Sequence, residues 1–469
     1  MRLNLKLMLM LLCGAAPALA QAAEHQVSSA AAIARVMGHL KPGDVVVLAD
    51  GTWQDQEIKF EANGTAAKPI VLRAQDPGKV VLTGRSSVTT DGTYLVVSGL
   101  CLKDGGSATD GIAIKGSHCR LTETALIGGT YKFFVHLYGS KNRVDHCYLA
   151  GKTSESPTLQ VEVEGAPNYH RLDHNHFGPR PPLGRNGGET MRVGYSHQSM
   201  RNSRTLVEQN LFDQCDGEIE IISSKSCENI YRFNTFLDCA GMLTLRHGNR
   251  CRVESNFFLG HHKQGSGGIR VIGEDHIILN NYIEGVTQGA FWITAGIPNS
   301  PLNGYFQARG CSIAFNTVVD SRGPYLALDA GMGTSRRTLG PENITVANNV
   351  FAVPQDGTLL KGTEGAGFRW MGNLTNATVT PPHKGIRTVD LKLRQAKDGL
   401  WRPQPSSPTR RTAEGDFGAV KWDIDGQLRR GRRDVGCDQI SSAPITNRPL
   451  TAADVGPVWF NRASNKHKP

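Results

Sequence analysis

A short pattern of alternating apolar and polar residues recurs along the chain, and each copy contains an asparagine followed by one residue and a further apolar residue. The clearest copies are centred on Asn175, Asn210, Asn234, Asn256, Asn281, Asn316 and Asn349, with Cys147 in the same position of one copy and weaker copies around Gly99 and Thr124. Successive copies are 22 to 35 residues apart. A repeat in the twenties that tolerates insertions predicts a solenoid in which each copy is one coil.

The strands within each copy predict what kind of solenoid the chain forms. They are short, rich in β-branched and aromatic residues, and broken by glycine, asparagine and aspartate, with almost no amphipathic helix between them. We therefore predict an all-β fold, a right-handed parallel β-helix. The repeated asparagines are expected to stack as a ladder whose amides bond along the axis, and the longer intervals mark loops that extend from the coils.

Both ends of the solenoid are expected to be capped, because an open coil would expose unpaired strand edges. One short helix over Ser29 to His39 is predicted as an N-terminal helical cap. The repeat fades after Val353, where proline-rich and basic runs follow. We predict a β-helix domain over residues 21–353 that carries the chemistry, followed over 354–469 by irregular final coils and a C-terminal cap of the same domain.

The first 20 residues have the features of a secretory signal peptide. Arg2 and Lys6 precede an apolar run, and Ala18 and Ala20 place small residues at the cleavage site. The apolar segment is too short to span a bilayer comfortably, and no other stretch is long and apolar enough. We therefore predict a signal peptide over residues 1–20 and an exported protein, periplasmic or secreted, with no membrane span in its mature form.

The charge of the chain suggests what kind of partner it binds. The formal net charge is +10, with 52 basic against 42 acidic residues. An exported basic protein is suited to binding polyanions, so an acidic polysaccharide is the expected partner. Nucleic acid is not expected, because the protein is predicted to be exported and no recognised nucleic-acid motif occurs. A monomer is expected.

Ten cysteines leave nine after removal of the signal peptide, so at least one is unpaired in a monomer. A period near 24 would stack Cys215 on Cys239 and Cys227 on Cys251. Adjacent strands are about 4.8 Å apart, within the range of disulfide Cα separations. These pairs are therefore either disulfides or small apolar residues of the interior. A zinc site is not expected, because no C-x-x-C spacing occurs.

The residues that could carry chemistry are concentrated between Gly217 and Gly248. Lys225 precedes Arg246 by 21 residues, so a coil of about 24 residues would place them almost side by side on neighbouring coils. A lysine acts as a base only if burial or nearby positive charge lowers its pKa, and Arg246 or a bound cation would act in that direction. Arg246 stays protonated, so it can stabilise charge and direct a proton or water to a leaving oxygen.

Two acids just before Lys225 suggest a metal site. Glu218 and Glu220 are expected on the same side of a strand, because side chains alternate with a period of two. With an oxygen from Asn186 on an inserted loop, they could hold a hard cation, and calcium suits flexible coordination by oxygen atoms alone. The alternative is that one glutamate only forms a salt bridge with Lys225.

Four motifs, NGGETMRVG, EIEIISSKSCEN, LTLRHG and GGIRVIG, resemble polysaccharide lyase family 6, which contains alginate lyases and chondroitinase B. The resemblance covers most of the mature chain, from Asn63 to Gln439 at least. It implies β-elimination on a uronate, in which a lysine removes the C5 proton, an arginine donates to the departing oxygen and calcium neutralises the carboxylate. By motif it implies Lys225 as base, Arg246 as acid, Asn186, Glu218 and Glu220 as calcium ligands, and His247, Arg270 and Arg192 as substrate contacts, with a structural role as the alternative for Arg192.

Within that family, the segment GIPNSPLNGYFQ at residues 296–307 is closer to alginate lyases than to chondroitinase B, as are LTLRHG and IISSKS. We therefore expect alginate as the substrate, with dermatan sulfate as the runner-up. A non-catalytic β-helix that binds polysaccharide is the alternative from another class. A polygalacturonase-like hydrolase would need clustered aspartates that the chain lacks, and pectate-lyase motifs do not match. The pair His261 and His262 is not expected to bind metal, because neighbouring residues of a strand face opposite ways.

Overall fold

The computed structural model describes residues 22–165 and 167–460. The predicted signal peptide at 1–20 lies outside the described residues, as do residues 461–469. The described chain forms a right-handed parallel β-helix, which confirms the predicted fold class. Each coil passes through three parallel sheets, which we call A, B and C in the order in which the chain meets them, and the apolar core lies between the three.

The strands of each sheet stack in chain order. Sheet A has 14 strands: Glu24–Val27, Val45–Leu48, Ile70–Ala74, Leu95–Ser98, Arg120–Thr122, Arg143–Asp145, Arg171–Asp173, Leu206–Glu208, Ile230–Arg232, Arg252–Glu254, Ile277–Leu279, Ser312–Ala314, Thr345–Ala347 and Arg369–Met371. Sheet B has 14 strands: Gly51–Gln54, Val80–Thr83, Leu100–Lys103, Ala125–Ile127, Tyr148–Ala150, His176–Phe177, Leu211–Asp213, Thr235–Leu237, Phe257–Leu259, Tyr282–Glu284, Thr317–Val319, Val350–Ala352, Asn373–Thr375 and Ile386–Thr388. Sheet C has 12 strands: Glu57–Asn63, Ser87–Thr93, Ile112–Ile114, Val135–Leu137, Leu159–Val161, Met191–Val193, Glu220–Lys225, Gly241–His247, Ser266–Val271, Gly289–Thr294, Leu326–Ala330 and Leu360–Lys361. The remaining elements of the described residues are an α-helix at Ala30–Met37, a 3-10 helix at Ser196–Gln198 and an antiparallel pair, Leu393–Gln395 with Trp401–Pro403.

The predicted asparagine ladder lies at the corner between sheets A and B. The residue before each ladder position turns the chain in the left-handed conformation, with φ of 57° at Phe233, for example. The Nδ2 of each ladder asparagine donates to the Oδ1 of the next, at 3.0 Å from Asn234 to Asn256. The seven predicted members all take part, and the ladder continues to Asn373, which the pattern did not identify. The ladder supplies hydrogen-bond partners to these buried amides, which would otherwise destabilise the fold.

The core next to this corner contains a stack of aromatic rings. Phe177, Phe212, Phe236 and Phe258 lie on successive strands of sheet B, with ring centroids 4.8, 4.7 and 4.5 Å apart. The rings are nearly parallel, and all four side chains are buried. The same one-coil spacing that stacks the asparagines also stacks these rings, so both ladders fix the register of the coils.

The cysteines pack inside the solenoid as free thiols. All nine cysteines of the described residues are buried and unpaired by disulfides. Cys215 and Cys239 do stack as the spacing predicts, and the Cys215 backbone N–H lies 3.3 Å from the Cys239 sulfur. The structure therefore favours the second of the two sequence interpretations, in which these residues fill the interior as small apolar side chains.

The first coil is covered by the predicted N-terminal helix. It begins at Ala30 and ends at Met37, and the Ser29 side chain caps it by accepting a hydrogen bond from the Ala32 backbone N–H at 3.1 Å. Ile33 on its inner face is completely buried. None of the helices in the described part of the chain has the length and apolar character needed to cross a membrane.

The C-terminal segment also contacts coils that lie far from the end of the solenoid. It returns along the outside of sheet B, where the Leu450 N–H donates to the Thr235 hydroxyl at 2.8 Å. Further along, the Trp459 indole N–H donates to the Glu123 carbonyl at 2.8 Å. The segment therefore ties the final coils to early ones on the side away from the catalytic candidates, which lie on sheet C.

Candidate active site

The predicted chemical residues lie on successive strands of sheet C or on the loops just before them. Strand Glu220–Lys225 begins with an acid and ends with the candidate base, and strand Gly241–His247 ends with Arg246 and His247. Arg192 and Arg270 lie on the strands to either side. The side chains that flank these two arginines along their strands are buried core residues, so the alternating pattern of a strand directs both arginines outward.

The predicted pairing of Lys225 with Arg246 needs a correction of one residue. Lys225 is aligned with His247, because the register shifts between Ser224 and Lys225. Arg246 has no pairing partner on the neighbouring strand, as in a β-bulge. Bulges of this kind change the direction of side chains and often lie beside active sites. The Arg246 Nη1 lies 3.4 Å from His247 Nδ1, so these consecutive side chains both reach the same region.

Three carboxylates converge at the other end of these strands. Oxygen atoms of Glu189, Glu218 and Glu220 lie within 4.8 Å of one another. The Gly187 backbone N–H donates to Glu218 at 3.0 Å. Burial, followed by the charges of the two neighbouring acids, raises the pKa of Glu218 to about 7. Asn186 is exposed on the adjoining loop, next to Gly187. Glu189 lies in the motif NGGETMRVG but was not among the predicted metal ligands.

The acids are linked to the cations by loose ion pairs. Glu189 Oε1 lies 3.7 Å from Lys225 Nζ and 3.5 Å from Arg192 Nη1. Glu220 Oε1 lies 3.8 Å from both Arg246 Nε and Arg270 Nη1. These separations exceed ordinary hydrogen-bond lengths. The cations are therefore held near the acids while N–H groups remain able to bind a substrate.

The surroundings of Lys225 favour its neutral form more than water does. Burial lowers the pKa of Lys225, the charges of Glu189 and Glu220 oppose that effect, and Arg192 and Arg246 add to it, with a net lowering. Burial also lowers the pKa of Arg246. A lysine with a lowered pKa beside a buried guanidinium is the combination expected of a general base next to a hydrogen-bond donor.

His247 is an uncharged donor or acceptor within this cluster. Burial lowers its pKa to about 2, and the charges of Arg246 and Lys225 act in the same direction. Its side chain is completely buried, and its Nε2 has no hydrogen-bond partner among the described residues. A neutral imidazole with one unpaired nitrogen can form a further hydrogen bond without adding charge.

A cavity of about 580 Å³ adjoins Arg270 on the side of the later coils. Trp292 and Arg337 line it, together with Lys361. The Arg270 guanidinium carbon lies 5.8 Å from the centre of the Trp292 ring, and Arg270 Nε is buried without a hydrogen-bond partner among the described residues. The cavity therefore combines an aromatic surface with several positive charges, which suits an anionic sugar.

The structure thus brings seven of the eight predicted side chains into one contiguous group and places Asn186 on the loop beside it. Sequence reasoning missed Glu189 and the aromatic and cationic residues of the cavity. The signal that could have identified Glu189 is its place in the motif NGGETMRVG, three residues before Arg192. A parallel β-helix with a lysine–arginine pair, neutral histidine and carboxylate cluster on one sheet has the features of a polysaccharide lyase.

Comparisons with known proteins identify the family. The family model described as Chondroitinase B matches residues 27–415. The solved structure of the PL6 family alginate lyase AlyGC is 37% identical, with a TM-score of 0.78, over 92% of this chain and 60% of that one. A mannuronic acid specific polysaccharide family 6 lyase from the human gut microbiota is 34% identical, with a TM-score of 0.72, over 78% of this chain and 91% of that one. A search of curated proteins found no match.

These matches show that the chain belongs to the chondroitinase B family, which is polysaccharide lyase family 6. The resemblance inferred from the four sequence motifs is therefore confirmed. This chain spans 60% of the length of AlyGC.

Proposed function

We propose that this protein is a lyase that cleaves alginate by β-elimination and leaves 4,5-unsaturated uronate ends. The observation that carries the proposal is the position of Lys225, with its lowered pKa, beside Arg246 and the carboxylate cluster. Removal of a proton from the carbon next to a carboxylate needs a base and donors for the charge that develops. This cluster of residues offers both.

Lys225 is proposed to take the C5 proton of the uronate. The electron pair of the C5–H bond becomes the C4=C5 double bond as the bond from C4 to the glycosidic oxygen breaks. Glu189 Oε1, 3.7 Å from Lys225 Nζ, can stabilise the ammonium group that results. The charge of the same carboxylate favours the protonated form of Lys225 and so opposes the lowering of its pKa by burial.

Arg246 is proposed to serve the departing glycosidic oxygen. Its Nη1 donates to the Gly304 carbonyl at 2.7 Å, which orients the guanidinium and leaves its other N–H groups available. These groups can hydrogen-bond the leaving oxygen and direct a proton to it, either from the guanidinium itself or through water. One proton is thus removed at Lys225 and one is supplied at the leaving oxygen, and exchange with solvent restores both groups.

The carboxylate cluster fits a calcium ion. Glu218 Oε1 and Glu189 Oε2 are both buried without a hydrogen-bond partner among the described residues, and three clustered carboxylates repel one another unless a cation is present. Glu189, Glu218 and Glu220 would hold the ion with Asn186. Bound calcium would neutralise the substrate carboxylate and so make the C5 proton more acidic.

The choice of alginate is supported by similarity and by charge. AlyGC, at 37% identity, is named as an alginate lyase, and the relative from the human gut microbiota, at 34% identity, as a mannuronic acid specific lyase. Arg192 and Arg246 lie close enough to the proposed base to lower its pKa, and Arg270 shares Glu220 with Arg246. Several positive charges in one site suit a polymer with a carboxylate on every sugar. The predicted signal peptide would export the protein to the compartment where such polymers are found, and we propose that it acts there.

The function is tested by following ultraviolet absorbance of unsaturated uronate while purified protein acts on alginate or on dermatan sulfate. We expect absorbance to rise with alginate. A rise with dermatan sulfate alone would keep the elimination chemistry and replace the substrate. Folded protein that binds alginate but forms no unsaturated product, with calcium supplied, would support the non-catalytic alternative instead.

Calcium removal gives a separate prediction. We expect a strong chelator to lower the initial rate at least about 10-fold, because the uronate carboxylate loses its neutralising charge, and added calcium should restore it. Glu218→Gln should weaken calcium binding, measured by calorimetry, whereas the exposed Glu57→Gln should leave it unchanged. Unchanged rates in chelator would refute the metal assignment and leave the lyase assignment standing.

A further inference from the structure

The loop at residues 296–307 lies against Arg246, which projects from sheet C. It leaves sheet C after strand Gly289–Thr294 and reaches back to earlier coils, where the Leu302 carbonyl accepts a hydrogen bond from the Ser199 hydroxyl at 2.9 Å. At its base, Gly296 pairs with Leu339. The loop is therefore anchored at both sides, and the residues in its second half face the catalytic cluster.

Tyr305 in this loop is surrounded by guanidinium groups. The guanidinium carbons of Arg246, Arg337 and Arg270 lie 4.2, 4.4 and 5.6 Å from the centre of its ring. All three distances fall within the range of cation–π attraction. Arg337 is buried, and its Nε donates to the Thr334 carbonyl at 3.2 Å. The Tyr305 ring therefore packs against a guanidinium that is held by a segment outside the 296–307 loop.

The same loop also holds Arg246 through its backbone. The Gly304 carbonyl, next to Tyr305, accepts the 2.7 Å hydrogen bond from Arg246 Nη1. The backbone is closely packed here, since a Cβ added at Gly304 would meet the Ser300 hydroxyl and lie 3.0 Å from Pro301 Cδ. The guanidinium of Arg246 is thus fixed by a ring and by an adjacent carbonyl.

An aromatic ring is a suitable partner for a guanidinium that must still donate to substrate. The nearest carboxylate, Glu220, lies 3.8 Å from Arg246 Nε and belongs to the proposed calcium site. A carboxylate in direct contact would occupy two N–H groups of Arg246, whereas a ring packs against the flat face and leaves the N–H edge free. A neutral ring also allows Arg246, Arg270 and Arg337 to gather without an added negative charge.

We propose that Tyr305 is a positioning residue for this reaction: its ring, together with the Gly304 carbonyl, holds the Arg246 guanidinium in place toward the leaving oxygen. The proposal rests on the lyase function proposed above. It assigns the role to the ring and not to the phenol group, since no hydrogen bond to the Tyr305 hydroxyl is found within the described part of the chain.

Two substitutions separate the ring from the hydroxyl. Tyr305→Phe keeps the ring and should retain kcat on alginate within about 3-fold. Tyr305→Leu keeps apolar bulk but removes the π face, and it should lower kcat about 10- to 100-fold with little change in KM, since misplacement of one catalytic group can cost that much. Asn303→Ala, an exposed change in the same loop, is the control and should match the parent protein, as should the thermal unfolding temperatures of all variants.

Each result has one interpretation. Full activity in Tyr305→Leu would overturn the proposal, and a large loss in Tyr305→Phe would assign the role to the hydroxyl instead. Crystal structures of the parent and of Tyr305→Leu provide a readout that does not depend on turnover. We expect the Arg246 guanidinium to be displaced or disordered in the variant, and an unmoved guanidinium would also overturn the proposal. If the parent lacks lyase activity, the proposed function fails, while these two structures still decide whether Tyr305 positions Arg246.

Discussion

Lys225→Ala is expected to lower kcat on alginate by about 10⁴-fold, because the variant has no group in place to accept the C5 proton. The fold should survive this change. Within the described part of the chain, Lys225 has one ion pair, at 3.7 Å from Glu189, and it is not a member of the apolar core clusters. We therefore expect the thermal unfolding temperature to move by only a few degrees. Formation of unsaturated uronate, measured by ultraviolet absorbance, checks the rate.

A second substitution separates base chemistry from charge. Lys225→Arg keeps a positive charge near Glu189 but cannot lose its proton at neutral pH, so it should be about as inactive as the alanine variant. Lys103→Ala, an exposed lysine on sheet B, is the matched control and should have the parent rate. Substantial turnover by Lys225→Arg would show that the position supplies charge only and that another group is the base.

The fold could be predicted because a solenoid repeats one local environment. Each ladder asparagine bonds to its counterpart one coil away, so the spacing of Asn234 and Asn256 alone predicts their contact. Asn373 was missed, although it continues the same ladder from Asn349. Its segment lies among the irregular final coils, where the alternation that marks the earlier copies is weak.

The return of the C-terminal segment along sheet B was also beyond sequence reasoning. Its contacts join residues that are far apart in the chain, such as Trp459 with Glu123. No periodic signal accompanies such contacts, because each is made once and depends on tertiary packing. The sequence pattern predicted a C-terminal cap but not the surface over which it extends.

At the candidate site, regular spacing explains both what was predicted and what was missed. Glu218 and Glu220 are two residues apart in one coil, so their proximity follows from the alternation of side chains along an extended chain. Glu189 lies 29 residues before Glu218, because the intervening coil carries an insertion, and a period near 24 does not pair the two. The one-residue register shift beside Lys225 likewise cannot be predicted from the spacing of residues in the sequence.

Tyr305 illustrates a different limit. It lies on a loop inserted into a long interval of the repeat, and the position of a loop residue in space is set by anchors at distant points in the chain. The hydrogen bond between Ser199 and Leu302 joins residues 103 positions apart. Sequence similarity marked residues 296–307 as distinctive, but only the structure shows that this loop contacts Arg246.

Arg246→Ala is expected to lower kcat by about 10³-fold, because the developing charge on the glycosidic oxygen loses its donor. Arg246→Lys should recover only part of this loss. The lysine ammonium keeps the positive charge but lacks the planar guanidinium. Only the guanidinium can pack on the Tyr305 ring, donate to the Gly304 carbonyl and still present N–H groups to the substrate.

The loss of activity in Arg246→Ala is expected to occur without a large loss of stability. The ion pair of Arg246 with Glu220 is long, at 3.8 Å, so unfolding temperatures should change little, and Arg252→Ala, a half-exposed arginine of sheet A, should retain the parent rate. A poor leaving group depends on this donor more than a good one. The loss in Arg246→Ala should therefore shrink markedly on a synthetic uronate with an acidic phenol as leaving group, whereas the loss in Lys225→Ala should not. Equal losses on both substrates would mean that Arg246 binds the uronate and does not serve the leaving oxygen.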